Sequence, residues 1–287
     1  ATVGALAAGA HNRRRKGLEQ LLPSMPKTSH HDPDQLEKVI EVEGAETISA
    51  FIGEPVIGAA AGAYVPPDDY WARISEICAQ HDILVIADEV MTGFGRLGKK
   101  MGHEALGFTP DIIVAGKGLG GGYVPIGGVY CHPEVVEPIG KTDLALMFYT
   151  FAGQDLCCSV ATKVLEIVRT ENLVDRAAVM GESLRIRLEE EFRDHPNVED
   201  IRGRGLLQGL GLVADRETGA PFPRSAAFAE SVANAALDNG VWVYPSGSGV
   251  FDDAVMFGPP FTVEEDHLDQ MVYVTRQAID TVASGLK

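Results

Sequence analysis

The chain has 287 residues, 45% hydrophobic and 23% charged, and a formal net charge of −17. That length suggests roughly two domains at about 100–200 residues each, and the acidic balance argues against nucleic acid or an anionic membrane as the main partner, because both need a basic face. Four cysteines without C-x-x-C spacing, and no apolar run near the roughly 18 residues that span a bilayer, fit a soluble protein of a reducing cytoplasm.

The first 31 residues read as loop, with Gly4, Gly9, Gly17, Pro23 and Pro26 as breakers. They open abruptly at "ATVGALAAGAHNRRRKG", with no signal segment, and read like the inside of a protein. The basic run Arg13-Arg14-Arg15-Lys16 reads as a solvated surface segment. "DPDQLEKVIEV" predicts a helix capped by Asp32, with Pro33 in its first turn and Leu36, Val39 and Ile40 behind. "ISAFIGEPV" is a short strand ending at Glu54. "PPDDYWARISEICAQHD" predicts an amphipathic helix with Tyr70, Ile74, Ile77 and Cys78 on one face. "ILVIADEV" and "DIIVAGKG" are β-branched runs of the kind buried on both faces of a parallel sheet. One long helical stretch is expected from Asp155 to about His195. After it, "VEDIRGRGLLQGLGLVAD" predicts a strand pair. A helix closed by Gly240, two strands at "VWVYP" and "AVMFGPP", and a final helix from Val263 complete the chain. The pattern is α/β: a mostly parallel sheet domain over 1–174 and a smaller α+β domain over 175–287.

Ligands of an open parallel sheet bind at the carboxyl ends of its strands. Three apolar strands end there in a charged residue: Glu54, Asp88 and Lys117. Lys117 stands among Gly116, Gly118, Gly120, Gly121 and Gly122. A lysine walled by apolar strands has its pKa lowered and becomes a nucleophile, while glycines leave space for a bulky cofactor. "AGKGLGGG" is not the phosphate loop G-x-x-x-x-G-K-[ST], because Gly118 follows the lysine. No metal-ligand spacing occurs. Asp88 ends a strand where a charge is costly unless paired, and a cationic ring nitrogen would pair with it. An aspartate for a pyridinium nitrogen together with a lysine Schiff base is the signature of pyridoxal phosphate enzymes. Taken alone, Asp88 also reads as an N-cap, Val90 as a core valine, and Glu54 as a strand-end cap.

The segment "ILVIADEVMTGFGRLGKKMGHEALGFTPDIIVAGKGLGGGYVPIGGV", with Lys117 placed 29 positions after Asp88, resembles the core of class III aminotransferases of the ω-amino acid:pyruvate, ornithine-type and 4-aminobutyrate group. "EPVIGAAAGAYVPPDDYW", "YTFAGQDLCCSVATKVLEIV", "IRGRGLLQGLGL" and "VMFGPPFTVEEDHLDQ" extend the resemblance over nearly the whole chain.

The resemblance implies the fold type I transferase architecture and the cofactor pyridoxal 5′-phosphate (PLP). Lys117 would form the Schiff base and shuttle the proton, Asp88 would pair with the pyridinium nitrogen, and Val90 would pack on the ring. Thr150 would donate to the phosphate of the cofactor held by the neighbouring subunit of a homodimer. Glu54 would lie near the cofactor's 3′-oxygen side or the substrate entrance. The implied reaction moves an amino group from an amine or ω-amino acid to a keto acid such as pyruvate. Alternatives are a PLP decarboxylase or aminomutase of the same fold, or a binding module that kept the fold without chemistry.

The chain starts just after the family's ring-stacking "YHG" stretch, so it resembles the C-terminal portion of the family pattern. Gln154 and Asp155 replace a usual His-Pro pair. Near Met256 the arginine that clamps an α-carboxylate in ornithine-type members is missing, and Arg202 and Arg204 in "RGRG" read as structural residues of a strand turn.

Overall fold

A computed structural model of the chain describes residues 2–142, 149–247 and 253–286, without the side chains of Asn12 and Arg13. The chain forms two compact units. One comprises 28–55 and 66–175; the other gathers 1–27, 56–65 and 176–287.

The predicted N-terminal loop contains two short helices, α1 (Val3–Ala8) and α2 (Asn12–Arg15). Thr2 Oγ1 accepts from Ala5 N at the start of α1. At its end Lys27 Nζ donates to Ala7 O and Ala8 O, both at 2.7 Å. That cation comes from twenty residues away, so local sequence conceals the C-terminal cap. In the basic run, Arg14 is exposed and Arg15 donates to Gly9 O.

In the unit holding Lys117, α3 (Gln35–Glu43) follows a turn in which Asp32 Oδ1 accepts from Asp34 N. The helix therefore starts later than an Asp32 cap predicts, and Gly44, at φ 85°, ends it. Strand β1 (Ala50–Gly53), α4 (Tyr70–Gln80), β2 (Leu84–Asp88), α5 (Gly102–Leu106), β3 (Ile112–Ala115), β4 (Gly128–Cys131), α6 (Pro133–Gly140) and α7 (Asp155–Thr170) complete it. The sheet order is β1-β2-β3-β4; the first three strands are parallel and β4 is antiparallel. Leu36, Ile40, Tyr70, Trp71, Ile74 and Ile77 cover the face carrying Phe51, Val85 and Ala87. Trp71 stacks on Phe108 at 4.0 Å, and its indole donates to Pro55 O. The expectation of strands buried on both faces is corrected. β2 alternates buried and half-buried residues, and Ile52 on β1 is exposed, because the described helices pack on one face. The apolar face of α7 likewise buries only Ala161.

The single long helix expected after Asp155 is two. Asn172, at φ 53°, breaks it between α7 and α8 (Leu173–Phe192). The second unit adds β5 (Val198–Arg204), β6 (Leu207–Leu212), α9 (Phe228–Asp238), β7 (Tyr244–Ser246), β8 (Asp253–Phe257) and α10 (Glu265–Ser284). Its antiparallel sheet has the order β5-β6-β8-β7. Leu184, Leu188 and Phe192 on α8, Phe228 and Val232 on α9, and Leu268 and Ile279 on α10 form its core with Leu210 and Val255. Each such side chain contributes about 1.5–3 kcal/mol on burial. The partly exposed pairs Arg187–Asp269 and Arg276–Glu191 are worth at most about 1 kcal/mol each, so the core holds this unit together.

Gly181 lies inside α8, where alanine would ordinarily gain about 1 kcal/mol in helix propensity. A Cβ there would sit 2.3 Å from the backbone carbon of Gly205. Backbone cannot rotate away as a side chain can, and overpacking costs about 1–3 kcal/mol. Gly181→Ala should therefore lower the urea midpoint; a raised midpoint would show that the turn at Gly205 yields.

Candidate active site

In β2, Asp88 pairs in register with Val114 of β3, and Gly53 of β1 pairs with Ala87. Glu54, Asp88 and the backbone leading to Lys117 thus leave the sheet on one rim, at the carboxyl ends of adjacent parallel strands. Asp111 clamps this arrangement: its Oδ2 accepts from Val85 N at 2.7 Å, and its own N–H donates to Val85 O.

Asp88 is half-buried, and its Oδ1 accepts from Val90 N at 3.1 Å. Burial pushes its carboxyl above the ordinary carboxylate value. The Val90 N–H and the Lys117 ammonium pull it back, while the Glu89 charge pushes it further up. Asp88 ends β2, and Lys117 follows β3, the adjacent parallel strand. Lys117 itself begins a one-turn helix at φ 37°, a left-handed conformation that strains a residue with a Cβ. Such strain persists only where the surroundings impose it, and it clusters at functional sites.

The expectation that Lys117 is walled in by apolar side chains is corrected. The residue is exposed, because Gly116 and Gly118 on either side carry no side chains to enclose it. The glycines do meet a floor. A Cβ on Gly116 would lie 3.7 Å from Val90 Cγ2, and one on Gly118 would lie 3.5 Å from Phe94. Val90 is thus a neighbour of the lysine loop. Glu54 is half-buried just beyond β1. Thr150 is exposed in the turn ahead of α7, between exposed Tyr149 and Phe151. Gln154, whose presence had no explanation in the sequence, is the N-cap of α7: its side-chain oxygen accepts from Cys157 N at 2.9 Å.

Glu89 escaped the sequence reading. It is fully buried, and four donors converge on its two oxygens. Oε2 accepts from Thr92 Oγ1 at 2.5 Å and Gly102 N at 2.8 Å; Oε1 accepts from His103 N at 2.7 Å and His103 Nδ1 at 2.9 Å. The signal in the sequence was a second acid directly after Asp88, inside an apolar run. Its partners, 13 and 14 residues on, were not readable.

In the other unit Met256 is buried in β8, in register with Gly209 and Tyr244. Arg202 is spent on Asp200 Oδ1, at 2.5 and 3.0 Å, and on Ala61 O. Clefts of about 340 Å³ beside α8 and about 500 Å³ along α7 include neither Lys117 nor Asp88. The candidate site thus offers a strained, accessible amine after β3 and a carboxylate of raised proton affinity at the end of β2, among glycines. That set suits covalent capture of a carbonyl next to a protonated nitrogen.

The class III aminotransferase family profile matches residues 1–279. Putrescine–pyruvate aminotransferase of Pseudomonas aeruginosa is 33% identical, over 88% of this chain and 54% of that protein. The structure of an (S)-enantioselective ω-transaminase from Thermomicrobium roseum superposes with a TM-score of 0.89 at 32% identity, over 98% of this chain and 65% of that one. A PLP-bound amine transaminase from an uncultivated Pseudomonas species gives a TM-score of 0.80 at 36% identity, over 87% of this chain and 56% of that one. The chain spans between half and two thirds of the length of these three proteins. Profile and fold agree: this chain belongs to the class III aminotransferases, a family of PLP-dependent enzymes.

Proposed function

We propose that the protein is a PLP-dependent transaminase that moves an amino group from an amine or ω-amino acid to a keto acid such as pyruvate. The observation that carries this reading is that Lys117, strained and accessible, follows β3 where the neighbouring parallel strand β2 ends in half-buried Asp88. The residues fit the cofactor. Asp88, whose proton affinity is raised by burial, suits a shared proton on a ring nitrogen, and the glycines around Lys117 leave room for a flat ring.

When bound, PLP supplies an aldehyde for Schiff base formation and a ring that accepts electrons. The chain supplies the rest. Asp88 would hold the proton on the pyridine nitrogen. Val90 would pack on the ring. Lys117 Nζ would accept the proton leaving the substrate Cα and return it. Glu54 would serve the 3′-oxygen side or the substrate entrance.

Thr150 would donate to the phosphate in a neighbouring copy, which makes the active unit a homodimer. Tyr123, Val129, Tyr149, Phe151 and Leu156, all exposed in one protomer, support that assembly. The division into a cofactor domain, 1–174, and a small domain, 175–287, belongs to the same reading. So does a cytoplasmic setting, which four free cysteines support. Among the described residues no helix is long and apolar enough to cross a membrane.

The sequence has no arginine near Met256, where ornithine-type members carry their carboxylate clamp, which favours donors without an α-carboxylate. A panel of amines, ω-amino acids and α-amino acids run with pyruvate on the full-length protein tests this. Terminal amines should give alanine at the highest kcat/KM. Carbon dioxide release with no requirement for a keto acid would contradict it.

A further inference from the structure

We propose that Glu89 is the positioning residue that sets Lys117, and the proposal rests on the cofactor reading above. Its carboxylate ties the two ends of the loop from 89 to 103 together. Thr92 lies near one end; Gly102 and His103 open α5 at the other. The main chain of Glu89 is tied as well. Its N–H donates to Val114 O of β3 at 2.8 Å, and its carbonyl accepts from Gly93 N at 2.9 Å. One residue thus anchors the sheet rim, the loop and α5.

The middle of that loop is the floor of the lysine turn. Phe94 adopts φ 58°, a conformation as uncommon for a side-chain-bearing residue as that of Lys117, and it lies against Gly118. Val90, the residue after Glu89, lies against Gly116. The two glycines flanking Lys117 therefore rest on side chains whose backbone is fixed through Glu89. Strain on both sides of the contact is held by the same buried carboxylate. A core residue of equal volume would fill the space but would leave Gly102 N and His103 N without an acceptor, which a buried site tolerates poorly. Space around the cluster is tight. A Cβ on Gly102 would meet Thr92 Cβ at 2.6 Å and Glu89 Oε2 at 2.7 Å.

The test uses Thr92→Val, which removes one donor at constant shape, beside Glu89→Gln. Amide hydrogen exchange is measured on the cofactor-free full-length protein. Exchange at 116–121 should rise by about 10- to 100-fold in Thr92→Val, the range for losing one hydrogen bond to a buried charged group. Exchange at 84–87 should stay as it was. Equal exchange at 116–121 in variant and wild type would overturn the proposal, and so would a uniform rise through both segments. On the loaded enzyme, Thr92→Val should lower kcat with KM within about twofold; a change confined to KM would also overturn it. Should Glu89→Gln fail to fold, Thr92→Val carries the test alone. A wild-type protein that takes up no PLP would sink the cofactor reading, and the exchange result would still decide what Glu89 does to the lysine turn.

Discussion

Lys117→Ala should lose covalent attachment of PLP and slow amino transfer by about ten-thousand-fold or more, with the fold intact. The size follows from two removals at once. The amine is both the covalent anchor and the proton carrier, and a positioned acid–base group alone is worth about 100- to 10,000-fold. Stability should not suffer. Lys117 is exposed and strained at φ 37°, so its side chain buries little surface that would stabilise the fold. A melting point within a few degrees of wild type, together with lost turnover, is the expected pair of results. A variant that retains covalent PLP would move the chemistry to another residue.

Asp88→Asn should cut turnover by about 100- to 1,000-fold, as expected when one preorganised electrostatic partner is removed, and yet should stabilise the cofactor-free protein at neutral pH. Burial raises the folded-state pKa of Asp88, outweighing the Val90 N–H and Lys117. The folded state therefore binds the proton more tightly than the unfolded chain. Stability falls as pH rises from the ordinary carboxylate value, about 3.9, through the folded one. Asparagine keeps an oxygen for Val90 N and carries no charge to desolvate. The gain should be present at neutral pH and vanish below the ordinary carboxylate value, as read by urea melts across pH. A cofactor-free Asp88→Asn protein less stable than wild type at neutral pH would mean that the Lys117 charge, not burial, governs this carboxylate.

Much of this site was legible because parallel sheets deliver their strand ends to one rim. "ILVIAD" and "IIVAGK" each announced a strand by β-branched runs and a chemical residue by a change of polarity. The predicted apolar faces of α3 and α4 also met the sheet, with Leu36, Ile40, Ile74 and Ile77 buried there.

What stayed hidden depends on distance along the chain. Lys27 ends α1 from twenty residues away. Glu89 gathers donors from α5, a helix too short to show periodicity. β4 is four residues long, with Val129 and Tyr130 exposed, so neither alternation nor burial marked it. The break at Asn172 needs a left-handed residue that asparagine tolerates but does not announce. The exposure of Lys117 follows from the same glycines that identified it, since residues that clear space for a ring also fail to build a wall.

The most direct measurement is borohydride reduction of the full-length protein after incubation with PLP, followed by peptide mapping. The account predicts that the visible absorption band disappears on reduction and that a single pyridoxyl label is found on Lys117. A label on another lysine, or no label at all, would contradict it.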